Sequence, residues 1–109
     1  MSFFVYILLS QGHERTYVGQ TEDVLKRLAR HNAGFVKSTK AWRPWILLHE
    51  ESFATRSEAM KREEWFKTVH GRKFISRLIR ERWEGSGLSD PALRDRDLAP
   101  TLSERTKPL

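Results

Sequence analysis

The chain has 109 residues, 20 of them Lys or Arg and 14 Asp or Glu, for a net charge of +6 and no cysteine. That length fits one ordinary domain rather than two, and a core of this size folds without staples. The absence of cysteine excludes a disulfide scaffold, a thiolate zinc site, an iron–sulfur cluster and a cysteine nucleophile.

The charge is unevenly spread. Residues 1–83 hold 16 basic and 9 acidic side chains, net +7, whereas the remainder holds four basic and five acidic. A small basic domain favours a polyanionic partner, of which nucleic acid is the commonest. The apolar run Phe3 to Leu9 is far shorter than the roughly 20 residues a spanning helix needs. No basic leader with a cleavage site precedes it. A cytoplasmic protein without a membrane partner is expected.

Phe3 to Leu9, aromatic and β-branched, reads as a largely buried strand ended by Ser10-Gln11-Gly12. Arg15 to Gly19 reads as its hairpin partner. Thr21 is the expected N-cap of a first helix, with Val24, Leu25 and Leu28 as its apolar stripe and Gly34 at its end. Phe35 to Arg43 is a basic loop, and Trp45 to Glu50 a third strand behind Pro44. Thr55 or Ser57 caps a second helix, Gly71 breaks it, and a third helix spans about Arg72 to Trp83. The expected fold is α+β: a three-stranded antiparallel sheet flanked by helices in the order β-β-α-β-α-α. The domain is expected over 1–84, with 85–109 as a flexible tail.

Taken singly, the polar residues have ordinary readings. Tyr6 and Tyr17 suit strand packing. Arg27 stands four residues after Asp23, the spacing of a surface ion pair, and His31 sits near a helix end. Glu63 lies beside the apolar stripe of the second helix, with Met60 and Phe66 three residues to either side. A carboxylate there needs a partner. Lys67, another basic residue or a divalent metal would serve. No phosphate-binding glycine loop, zinc-peptidase motif or serine elbow is present.

Taken together, the residues resemble the GIY-YIG endonucleases. Phe4-Val5-Tyr6, then ten residues, then Tyr17-Val18-Gly19 is similar to the paired signature. Gly19 to Arg27 resembles the family's G-x-T-x-D-L-x-x-R segment, and His31-Asn32-Ala33-Gly34 its H-N-x-G. Ser38-Thr39-Lys40 with Arg43-Pro44-Trp45, and Glu58-Ala59-Met60-Lys61-Arg62-Glu63, resemble the single-domain, URI-domain or UPF0213-like bacterial branch. The resemblance spans about residues 3–80. It departs at Phe4, where the family has glycine, and at Thr68 to Lys73, where many members carry a polar Asn.

The resemblance implies roles. Tyr6 and Tyr17 are the signature tyrosines, the first helping to activate water. Arg27 contacts the scissile phosphate, His31 assists, and Glu63 holds a single divalent ion, Mg²⁺ or Mn²⁺. A cation near Tyr6 is expected to lower its pKa from about 10 toward a base role. Arg30, Lys37, Lys40, Arg43, Arg62 and Lys67 are expected to neutralise neighbouring phosphates. Trp42 either stacks on an unpaired base or packs against the third strand. The implied activity is metal-dependent endonucleolytic hydrolysis in DNA repair, recombination or processing, with DNA favoured over RNA. The alternatives are a non-catalytic nucleic-acid-binding module and, further off, a protein adaptor built on Trp42, Trp45 and Trp65. A homodimer through an exposed sheet edge is also expected to be accessible.

Overall fold

The structure, a computed structural model, describes residues 1–86. The elements run β1 (Phe3–Ser10), β2 (Thr16–Thr21), α1 (Val24–Ala33), a short 3-10 turn (Lys40–Trp42), β3 (Trp45–Phe53), α2 (Arg56–Phe66) and α3 (Val69–Ser86). The sheet order is β2-β1-β3, and both pairings are antiparallel. This is the expected β-β-α-β-α-α architecture.

Strand β1 is central and covered on both faces, which explains its unbroken apolar run. Val5, Ile7 and Leu9 point to a core shared with Ala59, Phe66, Ile75 and Ile79 of α2 and α3. Tyr6 and Leu8 point the other way, to Val24 of α1 and to Trp45. A register shift between Ile7 and Leu8 bends the pairing with β3. Asn32 of α1 ties this second face to β3. Its side-chain Nδ2 donates to the Trp45 carbonyl (2.9 Å), and its Oδ1 accepts from Trp45 N–H (2.6 Å).

Three local expectations change. Thr21 is not the N-cap of α1. It remains in β2, paired with Phe4, and Asp23 caps the helix by accepting from Lys26 N–H. Of Thr55 and Ser57, Thr55 caps α2, through a reciprocal capping box with Glu58. Gly71 does not break a helix. The chain turns at Lys67 and Thr68, and Gly71 lies inside α3, where a Cβ would collide with the Trp65 carbonyl and the Phe66 backbone. The glycine lets two helices approach. Gly34 does end α1, at a left-handed φ of 86°. Gly85 and Ser86, assigned to the tail, are the last residues of α3. The rest of the expected tail lies outside the described residues.

Candidate active site

The α1 face of the sheet gathers three rings. Tyr6 and Tyr17 lie 6.1 Å apart by ring centroid, and His31 lies 5.9 Å from Tyr6 and 4.8 Å from Tyr17. Gly19 makes this possible. A Cβ there would stand 2.6 Å from Tyr6 Oη. The glycine of the signature, directly opposite Tyr6 in the pairing of β1 and β2, therefore leaves room for that hydroxyl.

His31 lies in the last turn of α1, as expected, and is fully buried. The 3-10 turn brings Thr39 down onto it. Thr39 Oγ1 donates to the Val36 carbonyl (3.2 Å), so it accepts from His31 Nδ1 at 2.8 Å. That assignment leaves Nε2 as the acceptor for the Tyr6 hydroxyl at 3.0 Å. Burial, with Arg27 and Arg30 nearby, lowers the His31 pKa to about 4. The ring is neutral over the ordinary pH range.

Tyr6 behaves opposite to the sequence expectation. Burial pushes its pKa up, the neighbouring Tyr17 and Glu63 add to the rise, and Arg27 only partly opposes it. Desolvation of the phenolate outweighs the cation. Tyr17 and His31 are the rings that flank Tyr6.

Arg27 is half-buried one turn before His31. Asp23, its expected ion-pair partner, is occupied with the helix cap. Among the described residues, no carboxylate pairs with the Arg27 guanidinium. A half-buried guanidinium with no carboxylate partner among the described residues keeps its donors for an oxyanion.

Glu63 reaches the same region from α2, over the edge of β2. Gln20 Nε2 donates to one carboxylate oxygen (3.1 Å) and Lys67 Nζ to the other (3.1 Å). Lys67 is thus the structural partner among those left open. Gln20 Oε1 is buried without a hydrogen-bond partner among the described residues. Glu63 and Lys67 line a cleft of about 240 Å³ together with Tyr17, Val18, Thr39 and Trp45.

The other expected nucleic-acid contacts divide. Arg30, Lys37, Lys40 and Arg43 are exposed around the end of α1 and the basic loop. Trp42 is half-buried, with the Arg15 guanidinium 3.9 Å over its ring and His13 edge-on at 4.9 Å. Arg62 is turned to the opposite face of the sheet. There it makes two hydrogen bonds to Glu51 of β3 (2.8 and 3.1 Å) and lies over Trp65 and Phe66. Although burial alone would raise the Glu51 pKa, bonds from Arg62 and His49 hold it below the usual carboxylate value.

The GIY-YIG catalytic domain model matches residues 2–76. The chain belongs to the GIY-YIG family. It is 45% identical over 83 residues to a UPF0213 protein of Staphylococcus aureus strain Mu3, covering 74% of this chain and 98% of that one. It is 45% identical over 73 residues to a UPF0213 protein of Bacillus velezensis, covering 66% and 73%. The solution NMR structure of a UPF0213 protein from Bacillus halodurans is similar at 30% identity and a TM-score of 0.44, over 72% of this chain and 85% of that one. This GIY-YIG chain carries its signature tyrosines on β1 and β2. No described helix is long and apolar enough to cross a membrane.

Sequence reasoning missed Thr39, which holds His31, and Gln20, which holds Glu63. Strand alternation carried a signal for Gln20, since it shares a face with Val18 and hence with α2. In the sequence Thr39 stands in the Ser38-Thr39-Lys40 motif without a role, because its contact with His31 depends on the fold of the loop.

Proposed function

We propose that this chain is a divalent-metal-dependent endonuclease that hydrolyses phosphodiester bonds in DNA, in repair, recombination or processing, in the cytoplasm. The observation that carries the reading is the cluster of Tyr6, Tyr17 and His31, in which Tyr6 is hydrogen-bonded to His31, on the helix that also carries the half-buried Arg27; that arginine pairs with no carboxylate among the described residues.

Arg27 binds two phosphate oxygens through its fork and so sets the orientation of the scissile phosphodiester. The attacking water gives its proton to Tyr6 Oη as Tyr6 passes its own proton to His31 Nε2 along the 3.0 Å hydrogen bond. This route spares the buried site a free phenolate, whose formation burial opposes. His31 can accept because it is neutral and Thr39 fixes its tautomer. Phosphate on Arg27 offsets one of the charges that depress the His31 pKa, so substrate raises the basicity of its own relay. The water oxygen bonds to phosphorus, the phosphorus–oxygen bond to the leaving strand breaks, and that oxygen takes a proton from solvent.

The donor set fits a divalent ion. Mg²⁺ commonly takes one or two protein carboxylates and fills its sphere with water and substrate phosphate. Among the described residues no group of three acidic, His or Cys ligands exists, so Glu63 would be the charged ligand, with the Gln20 carbonyl beside it. When bound, such an ion supplies positive charge to the phosphate and to the leaving oxygen. Lys67 must leave the Glu63 oxygen it now holds, which frees an ammonium for the substrate.

The Lys67–Glu63 pair favours a second reading, a binding module in which the carboxylate is permanently neutralised. A labelled panel of duplex, single strand, flap, four-way junction and RNA separates the two. Cleavage by wild type with Mg²⁺ or Mn²⁺, absent with EDTA and in a folded Glu63→Ala variant, is the expected result. Equal cleavage by that variant would overturn the assignment of Glu63, and binding without product in all cases would leave the module.

A further inference from the structure

Helix α3 packs on the sheet through Ile75 and Ile79, both buried. With 3.6 residues per turn, Lys73, Arg77 and Arg80 fall on the opposite side of that helix, and all three are exposed. Residues 69–80 hold four Lys or Arg side chains and no Asp or Glu. The acids of α3, Glu81 and Glu84, come only after Arg80. Among the described residues no carboxylate pairs with Lys73, Arg77 or Arg80. The Arg77 guanidinium lies 5.2 Å over the Phe74 ring, which steadies its charge without cancelling it. Like charges three and four residues apart on a helix repel, so the row is unfavourable by itself, and an anion that meets it removes that cost. This side of the molecule has no part in the chemistry above. Tyr6 and His31 lie across the sheet, on the α1 face.

We propose that the outer row of α3 is a second nucleic-acid surface, which takes the sugar–phosphate backbone of a duplex segment other than the one at the candidate active site. The partner follows from what the row offers. Lys73 to Arg80 covers about 10 Å of helix axis. A duplex carries about six phosphates over that length. Two of the three cations are arginines, whose planar forks match phosphate oxygens. A protein interface or a membrane surface calls for apolar anchors. On this row the exposed apolar side chain is Val69 alone, at its start. Phosphate contacts carry no sequence information, so this surface is blind to sequence. A chain that holds nucleic acid on both faces bridges two segments. The choice of partner rests on the nucleic-acid reading above, whereas the surface itself is independent of the cleavage chemistry.

The test is a bridging assay in EDTA, where nothing is cleaved. A biotinylated duplex on streptavidin beads holds the protein, and a fluorescein-labelled duplex of unrelated sequence is added. Wild type is expected to retain the second duplex. The triple variant Lys73→Gln, Arg77→Gln, Arg80→Gln keeps good helix formers at exposed positions, so its melting temperature is expected to stay near wild type. It is expected to retain at least about tenfold less labelled duplex per bound protein. Undiminished bridging by the folded triple variant overturns the surface, as does wild type that binds the beads and retains no second duplex. If the triple variant does not fold, Arg80→Gln decides. It is expected to flatten the log–log salt slope of bridging by about 0.9, one lost phosphate contact on a duplex, and an unchanged slope overturns the proposal. Phosphatidylserine vesicles bound through the row, without bridging, overturn it in favour of a membrane. Failure of the nuclease reading shows instead as absent cleavage, in a different experiment.

Discussion

The two faces of the sheet are built on different principles. Against α2 and α3 lies an apolar core of Val5, Ile7, Phe66, Ile75 and Ile79, in which the charged pair of Arg62 and Glu51 is fully used. Against α1 lies a smaller cluster threaded by hydrogen bonds, from Tyr6 to His31 to Thr39, with an unpaired arginine at its side. On the first face Arg62 and Glu51 satisfy one another. On the second, both ring nitrogens of His31 are bonded, while Arg27 pairs with no carboxylate among the described residues. Stability and function are thereby separated across a single strand, β1, whose alternate residues serve one or the other.

Glu63→Gln and Arg27→Lys offer the strongest test of that separation. Each is expected to reduce metal-dependent cleavage by about a thousandfold, the upper range for losing one pre-organised charge, with a melting temperature near wild type. A collapse of the fold in either would show that these groups are structural after all. Phe66→Ala tests the opposite face. It should cost about 3–5 kcal/mol of stability in denaturant titration, while activity per folded molecule stays unchanged. Gly19→Ala lies between the two. Its Cβ displaces Tyr6 Oη, so a loss of about a hundredfold in kcat is expected with a modest drop in melting temperature.

The pH response sharpens the contrast further. His31 has a folded pKa of about 4, below the ordinary value of 6.5. Between those values the unfolded chain binds more protons than the native one, so stability falls as pH falls. Thermal melts from pH 6.5 down to 4 should show a loss of at most about 1.4 kcal/mol per pH unit from this residue, and His31→Gln should flatten the slope. A slope unchanged in the variant would assign acid sensitivity to other groups. The smallest effect is at Lys67, whose pair with Glu63 is partly exposed. Lys67→Met is expected to tighten Mn²⁺ binding up to about fivefold by calorimetry, in line with a surface pair of at most about 1 kcal/mol. Weaker binding would mean that Lys67 assists the ion rather than competing with it.

The order of elements was legible in the sequence because hydrophobic period, caps and turns agree. The errors fall where a local signal competes with a distant one. Thr21 is a good cap residue, yet pairing with Phe4 keeps it in the strand, and Asp23 caps instead. Gly71 is a natural breaker, yet its role is to admit the Trp65 and Phe66 backbone. The resemblance singles out Tyr6, Tyr17, Arg27 and Glu63 as candidates, but not the state of Tyr6, since burial depends on what α1 and the loop place over it. Arg62 was legible only as a surface cation because Glu51, which engages it, lies on another element.

The bonds between Asn32 and Trp45 carry a consequence for self-association. A sheet edge recruits a second chain by presenting free N–H and C=O groups. At the start of β3 both outward groups of Trp45 are taken by a side-chain amide that copies the pattern of a neighbouring peptide. A copy docking over the start of β3 must first evict Asn32 from Trp45. A copy docking along the other edge, β2, would lie across the cleft. Pairing at the start of β3 would therefore disturb the end of the helix that carries His31, and pairing along β2 would cover the cleft.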